Sequence, residues 1–175
     1  GAEARRLSGK HTLLFGAVTF FYWGSLYFYV PILPVHAEDV SGSLSLVGVI
    51  IASYALPQLL LRIPIGLSFD ALPRRKPLVA ASLIMCAVGA AGLALAPGAW
   101  SLAAARAVTG IGAAGWVAFT VFFTGYYLPA SSARAIGTIN AVNQISLVVA
   151  TGSGGAFAEA AGYRACFLAA GALAI

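Results

Sequence analysis

Charged residues are scarce in this sequence. Asp, Glu, Lys and Arg together make up 9% of the 175 residues, and 61% of the residues are hydrophobic, whereas about a quarter of an ordinary soluble domain is charged. Too little polar surface remains to cover a water-soluble globule. The composition therefore excludes a small soluble enzyme, and it also excludes a disordered chain, which would contain few apolar residues.

Cysteine is almost absent as well. Cys86 and Cys166 are the only two, and both lie in apolar runs without the partner spacing of a metal site. We therefore expect no disulfide scaffold and no metal, and we separately expect no cofactor. The net charge of +5 could suit nucleic acid. However, the cations lie in short segments between apolar runs and not along one stripe, which argues against a nucleic-acid partner.

Long apolar runs make up most of the chain. Each run except the last reaches the roughly 20 residues that a membrane-spanning helix needs, and lipid favours helices because it offers exposed backbone groups no water. Proline and glycine residues mark the boundaries between the runs. The sequence thus predicts an all-α integral membrane protein, with a bundle of six transmembrane helices over residues 13–33, 44–66, 77–96, 99–128, 135–158 and 163–175.

The sixth run is short. Its 13 residues would cover about 20 Å at 1.5 Å per residue, against a hydrocarbon core of about 30 Å. We therefore expect the chain to be part of a longer polypeptide or to end within a helix. A half-size protein that pairs with a second copy of itself is the alternative.

The positive charges are distributed unevenly between the two sides that the connecting segments would occupy. One side holds only Arg164, and the other holds Arg5, Arg6, Lys10, Arg74, Arg75, Lys76 and Arg134. Cytoplasmic loops carry the excess of Lys and Arg in membrane proteins. The distribution therefore predicts a multi-pass protein with its N-terminus in the cytoplasm.

Two parts of the chain align when the sequence is shifted by 89 residues. GLSFDALPRR then falls on GAFAEAAGYR, and Gly66 falls on Gly155. Both segments lie at the end of a middle helix, and three helices separate the two copies, so the second copy must face the opposite side of the membrane. This predicts two inverted three-helix repeats over about residues 13–96 and 99–175.

The segment between the second and third runs carries a family motif. It reads GLSFDALPRRK and resembles the Gly-x-x-x-Asp-Arg-x-Gly-Arg-Arg/Lys loop of the major facilitator superfamily. The residues of the motif here are Gly66, Asp70, Arg74, Arg75 and Lys76. Ala71 replaces the usual arginine and Pro73 the usual glycine, and proline cannot adopt the positive φ that glycine allows.

Two later runs resemble the same family. The fourth carries RAVTGIGAA, which begins at Arg106, contains Gly110 and Gly112, and is similar to the family's Arg-x-x-x-Gly-x-Gly-x-x pattern. The fifth ends in Gly154 and Gly155 and is followed by GYR, although the proline of the family's antiporter pattern is absent. Small residues let membrane helices approach closely, so we predict that these four glycines are packing residues.

This resemblance covers essentially the whole chain. It implies the N-terminal six-helix half of a transporter, closest to drug-efflux-like and uncharacterised bacterial members, in a bacterial-type cytoplasmic membrane. It also implies a small-molecule substrate, a surrounding lipid bilayer and a second six-helix half in the same polypeptide. Such a carrier works by alternating access, as an antiporter driven by a proton or another ion or as a facilitator, and is not an enzyme.

Other functions stay open on the sequence alone. A non-transporting scaffold or receptor can be built on a carrier fold, and a half-size carrier can act as a homodimer. The resemblance places the loop motif at the cytoplasmic mouth, where Asp70 would latch and release the two halves. The alternative is that these loop charges only set the topology.

Polar and aromatic side chains within the predicted spans are the candidates for a substrate cavity or for coupling. They are Arg106, Asn140, Asn143, Gln144, Tyr54, Gln58, Tyr22, Tyr29 and Trp116. Arg106 is the sharpest candidate because a charge inside a span is costly, and it could bind an anionic substrate or sense a nearby acid. Snorkelling and interhelical hydrogen bonds are the alternatives. No Asp or Glu lies well inside any run.

Overall fold

The computed structural model describes residues 9–71, 76–125, 127 and 129–175. These residues form eight α-helices and one 3-10 turn, and no β-strand occurs among them. The helices are α1 (Gly9–Tyr27), α2 (Leu33–Ser41), α3 (Leu44–Ala71), α4 (Lys76–Leu95), α5 (Ala99–Ala114), α6 (Trp116–Thr124), α7 (Ser132–Ala161) and α8 (Tyr163–Leu173), and the 3-10 turn is Pro129–Ser131. The predicted all-α fold class is confirmed.

Four helical segments in the described residues are long and apolar enough to cross a membrane. They are Leu44–Leu67 in α3, Lys76–Leu95 in α4, Ala99–Thr124 over α5 and α6, and Ser132–Ala161 in α7. Two shorter apolar helices, Thr12–Tyr27 and Tyr163–Leu173, lie within α1 and α8. These six segments follow one another in the order of the six predicted passes.

The structure divides the first predicted pass, residues 13–33. α1 ends at Tyr27, the backbone turns, and α2 begins at Leu33. Pro31 explains the break, because it has no N–H to donate to the Tyr27 carbonyl and its ring would clash with that carbonyl in a continuous helix. A tighter bond takes over, in which the Val30 N–H donates to the Tyr27 oxygen at 3.1 Å.

The fourth predicted pass, residues 99–128, is also interrupted. Gly115 separates α5 from α6, and its N–H donates to the Gly112 carbonyl at 3.1 Å, which is the three-residue spacing of a tightened turn. A Cβ on Gly115 would overlap the Ser82 side chain of α4, so the crossing has no room for a side chain there. α6 ends at Thr124, four residues before the predicted end.

α7 extends three residues beyond the predicted run 135–158 at each end. Gly162 ends this helix with a φ of +84°, a conformation that glycine adopts without steric cost. Its N–H donates to the Ala158 carbonyl at 2.8 Å, and α8 begins at the next residue. The other predicted runs differ from α3, α4 and α8 by five residues or fewer at their ends.

The main helix pairs connect the first three passes with the last three. α3 packs on α5, α1 packs on α7, and α4 packs on both α5 and α8. If the first three passes are exchanged with the last three, α1 takes the place of α5, α3 that of α7 and α4 that of α8. The α1–α7 pair then becomes the α5–α3 pair, and the α4–α8 pair stays the same. An inverted repeat would give this arrangement, and the repeat itself stays a prediction.

Three of the four glycines singled out for packing lie at close helix crossings. A Cβ on Gly110 would overlap the backbone of α3, and one on Gly154 would overlap the backbone that follows α1. A Cβ on Gly112 would lie 2.6 Å from a side-chain sulfur of α4. Gly155 differs, because a Cβ there would meet nothing within 4 Å, so the close packing does not extend to it.

Replacing Gly110 by alanine should weaken the contact between α3 and α5. The new Cβ would overlap the Tyr54 carbonyl, and overpacking of this kind costs about 1–3 kcal/mol. Gly155→Ala is the matched control, since its Cβ meets nothing and alanine favours a helix over glycine by about 1 kcal/mol. Thermal unfolding in detergent should show a lower midpoint for Gly110→Ala only. An unchanged midpoint would contradict the close crossing.

Candidate functional site

Arg106 of α5 is buried inside the helix bundle, with 7% of its surface exposed. Its Nη1 donates a hydrogen bond to the Tyr29 hydroxyl at 2.9 Å and a longer one to Thr109 Oγ1 at 3.4 Å. Both acceptors are neutral oxygens, and an arginine stays charged inside proteins. These bonds therefore hold the guanidinium in place without neutralising it.

Two tyrosine rings pack against the same guanidinium. The Arg106 Cζ lies 4.1 Å from the centre of the Tyr54 ring and 5.3 Å from the centre of the Tyr29 ring. The electron-rich face of a ring attracts a cation within about 6 Å, and the attraction reaches about 2 kcal/mol or more when the pair is desolvated. The rings therefore stabilise the charge of Arg106 in the place where an acid would usually be found.

No carboxylate pairs with Arg106 among the side chains that the structure describes. The acids among them are Glu38 and Asp39 on α2 and Glu159 near the end of α7, and all three are exposed. The Arg106 Nε is buried and has no hydrogen-bond partner there. A charge that is buried in a membrane segment without an acid is costly, and such residues are commonly functional.

A helix break and a helix crossing bring these groups together. Tyr29 lies in the turn that Pro31 causes between α1 and α2. Tyr54 comes close to α5 because Gly110 lets the backbones of α3 and α5 approach. Three separate elements, the turn after α1, α3 and α5 itself, therefore provide the groups that contact the guanidinium.

Tyr22 and Trp116 lie in an aromatic cluster that joins α1 to α6. Tyr22 is fully buried, and its ring centre lies 4.4 Å from that of Phe119. Its hydroxyl donates to the Gly112 carbonyl at 2.8 Å, so this polar group already has a partner in the backbone. Trp116 is half-buried, with its ring centre 5.2 Å from that of Trp23.

The three polar amides of α7 do not share one environment. Asn143 is buried, and Asn140 and Gln144 are exposed. The Gln144 Nε2 donates to the Asn143 Oδ1 at 3.1 Å, which links the buried amide to the surface. Of these three residues, only Asn143 faces the interior of the described bundle.

Gln58 lies in an open groove along α3. The groove has a volume of about 750 Å³, and its lining includes Ser53, Leu56, Gln58 and Arg62. Ser53 precedes Tyr54 in the chain, and Gln58 follows it by one helical turn. The groove therefore runs beside the segment of α3 that supplies an aromatic face to Arg106.

Comparison with known families decides the identity of the fold. Residues 15–175 match the sequence model of the family described as Major Facilitator Superfamily. The chain belongs to the major facilitator superfamily. It is therefore a multi-pass membrane transporter of this superfamily. A search of curated proteins gave no match.

The loop motif of the superfamily lies only partly within the described residues. Gly66 is half-buried on α3, where a Cβ would lie 3.9 Å from a side-chain carbon of α6. Lys76 is exposed at the first position of α4. Asp70 belongs to α3, and its side chain, together with Arg74 and Arg75, lies outside the described part of the chain.

Sequence reasoning missed two buried hydroxyls, Thr109 and Ser146. Thr109 is the second acceptor for Arg106, and the Ser146 Oγ donates to a backbone carbonyl of α1 at 2.6 Å. A signal was available for both. Each lies three residues after a polar residue already singled out, Arg106 and Asn143, and residues at that spacing are neighbours on a helix.

Removing the Tyr29 hydroxyl should destabilise the protein. Tyr29→Phe leaves Arg106 Nη1 with only its longer bond to Thr109, and a hydrogen bond to a charged group contributes about 1.5–3 kcal/mol. Tyr54→Phe is the matched variant, because it keeps the ring face that lies over the guanidinium. Thermal unfolding in detergent should show a clear loss for Tyr29→Phe and a much smaller one for Tyr54→Phe. Equal losses would argue against this hydrogen bond.

His36 on α2 should make stability depend on pH. Its ring centre lies 5.3 Å from that of Tyr163 and 5.5 Å from that of Phe167. Burial lowers the pKa of His36 because it disfavours the imidazolium, although the charge of Asp39 opposes the shift in part. The unfolded chain then takes up the proton first as the pH falls. Stability should be full above about pH 6.5 and decrease as the pH falls below that value.

The measurement is the unfolding midpoint at about pH 7.5 and about pH 5.5, on either side of the ordinary histidine pKa. His36→Gln removes the titrating ring and should reduce the difference between the two midpoints. An identical pH dependence in this variant would show that His36 is not responsible.

Proposed function

We propose that the chain forms one half of a carrier that moves a small molecule across the membrane by alternating access. The observation that carries this proposal is the buried guanidinium of Arg106, with Tyr29 and Tyr54 against it. A charge this deep in an apolar bundle is expensive to maintain for stability alone. Its position between three helical elements suits a substrate site or a coupling site.

A second six-helix half completes the carrier in this proposal. α3 is the most exposed of the four long spans. In its apolar stretch 11% is buried inside the protein, against 50% for the pass formed by α5 and α6. Its open groove combines apolar residues with Gln58 and Arg62, and pure lipid solvates such polar groups poorly. We propose that the second half, in the same polypeptide, packs along this face, and a second copy of the chain is the alternative.

The loop motif is proposed as the cytoplasmic gate of this carrier. The described side chains of α3 end at Leu67, one residue after Gly66, and the exposed Lys76 begins α4. A carboxylate at Asp70 can latch the two halves and release them as they rock. The excess of Lys and Arg on this side supports a cytoplasmic N-terminus. A bacterial-type plasma membrane is proposed on the resemblance of the motifs to bacterial members.

Efflux is the proposed direction of transport, on the resemblance of the motifs to drug-efflux-like members. Two modes of coupling follow from the scarcity of acids inside the spans. In the first, transport is coupled to a proton or another ion through an acid at the end of a span or through the second half. In the second, the carrier is a facilitator without coupling.

Counterflow in proteoliposomes tests the proposed function. The full-length gene product would be reconstituted, loaded with unlabelled compound and supplied with the same compound in labelled form, using neutral, cationic and anionic panels. We expect saturable exchange for at least one class, and none in empty liposomes. Acceleration by a pH gradient would support proton coupling. Well-folded protein without saturable exchange for any class would support a scaffold or receptor instead.

A further inference from the structure

We propose that Arg106 binds the substrate directly, and that the substrate is a small monoanion with a carboxylate or another planar oxyanion group. The inference rests on the proposed function, since it names the class of molecule that the same site would transport. It depends on which nitrogens of the guanidinium already donate hydrogen bonds within the protein and which do not.

The two hydrogen bonds of Arg106 fall on one nitrogen. Nη1 donates to Tyr29 and to Thr109, whereas Nε is buried and has no partner among the described residues. Nε and Nη2 form the side edge of a guanidinium, and this edge can grip both oxygens of a carboxylate in parallel bonds. The occupied nitrogen therefore holds the group in place, and the edge suited to a planar oxyanion makes no hydrogen bond to the described residues.

The Tyr54 ring limits the shape of this ligand. It covers a face of the guanidinium, with 4.1 Å between the ring centre and Cζ. The ring keeps a ligand away from that face, and an approach in the plane of the guanidinium, along its edge, avoids the ring. Planar oxyanions match that approach, and bidentate pairing with arginine is their usual mode of recognition.

Electrostatics favours a ligand with one negative charge. The acids among the described side chains, Glu38, Asp39 and Glu159, are exposed and make no pair with Arg106. An unneutralised cation attracts an anion far more strongly in a poorly polarisable interior than in water. A single carboxylate would balance the single charge, and the aromatic side chains around it suit an apolar body on the ligand.

Binding of matched ligand pairs tests the inference on the full-length gene product in nanodiscs. The probes are radiolabelled acetate, hexanoate and benzoate, each compared with its neutral amide by equilibrium dialysis. At least one carboxylate should bind saturably and about tenfold or more tighter than its amide, because the bonds to Arg106 are charge-assisted. This comparison uses the unmodified protein, so it does not depend on whether a variant folds.

Variants then locate the binding. Arg106→Gln should abolish carboxylate binding, and Arg106→Lys should weaken it about tenfold or more, since lysine keeps the charge but loses the paired donors. Arg164→Gln is the matched control, because it removes an exposed arginine at the start of α8 and should leave binding unchanged. Size-exclusion profiles would establish that each variant is folded.

Two outcomes would overturn the inference. One is that none of the three carboxylates binds more tightly than its amide, and the other is that folded Arg106→Gln binds them as well as the unmodified protein does. Failure of the proposed function can be distinguished from failure of this inference by comparing carboxylate binding with saturable exchange. Carboxylate binding without saturable exchange would leave the anion site standing and contradict transport. Saturable exchange of neutral or cationic compounds without carboxylate binding would leave transport standing and contradict the anion site.

Discussion

One buried positive charge constrains this fold more than any other feature. The Arg106 guanidinium lies buried among apolar helices, and no acid among the described side chains neutralises it. Its stability depends on the Tyr29 hydroxyl and on the faces of two tyrosine rings. Those groups come from different elements, so the turn after α1, α3 and α5 must keep one relative arrangement for the charge to be tolerated.

The irregular features of the helices serve that arrangement. Pro31 ends the hydrogen bonding of α1 early, so that Tyr29 lies in a turn and not on a continuous helix. Gly110 removes the side chain that would otherwise separate α5 from the Tyr54 backbone. A proline break and a glycine crossing would each weaken an isolated helix. Here they allow three helical elements to surround one guanidinium.

The sequence predicted the helical class and the order of the passes because apolar runs of this length have few other structures in lipid. It identified Pro31 as a helix breaker but placed the end of the first pass at Leu33. It did not predict the break at Gly115, since the composition stays apolar there. The amides of α7 show a further limit. Spacing indicates that Asn140 and Gln144 share a face, but it cannot indicate whether that face meets protein. In the structure Asn140 and Gln144 are exposed, and the neighbouring Asn143 is buried.

The contact between Tyr29 and Arg106 could not be predicted from sequence, because 77 residues separate the two and a helix break orients one of them. Its chemistry nevertheless has a clear consequence. An acid in the place of these tyrosines would neutralise the guanidinium and weaken the attraction of its Nε–Nη2 edge for a carboxylate. Phenol and ring faces stabilise the same charge and leave that edge free. In the proposed anion site, holding the cation by aromatic groups therefore leaves its charge without an acid, whereas a salt bridge inside the protein would neutralise it.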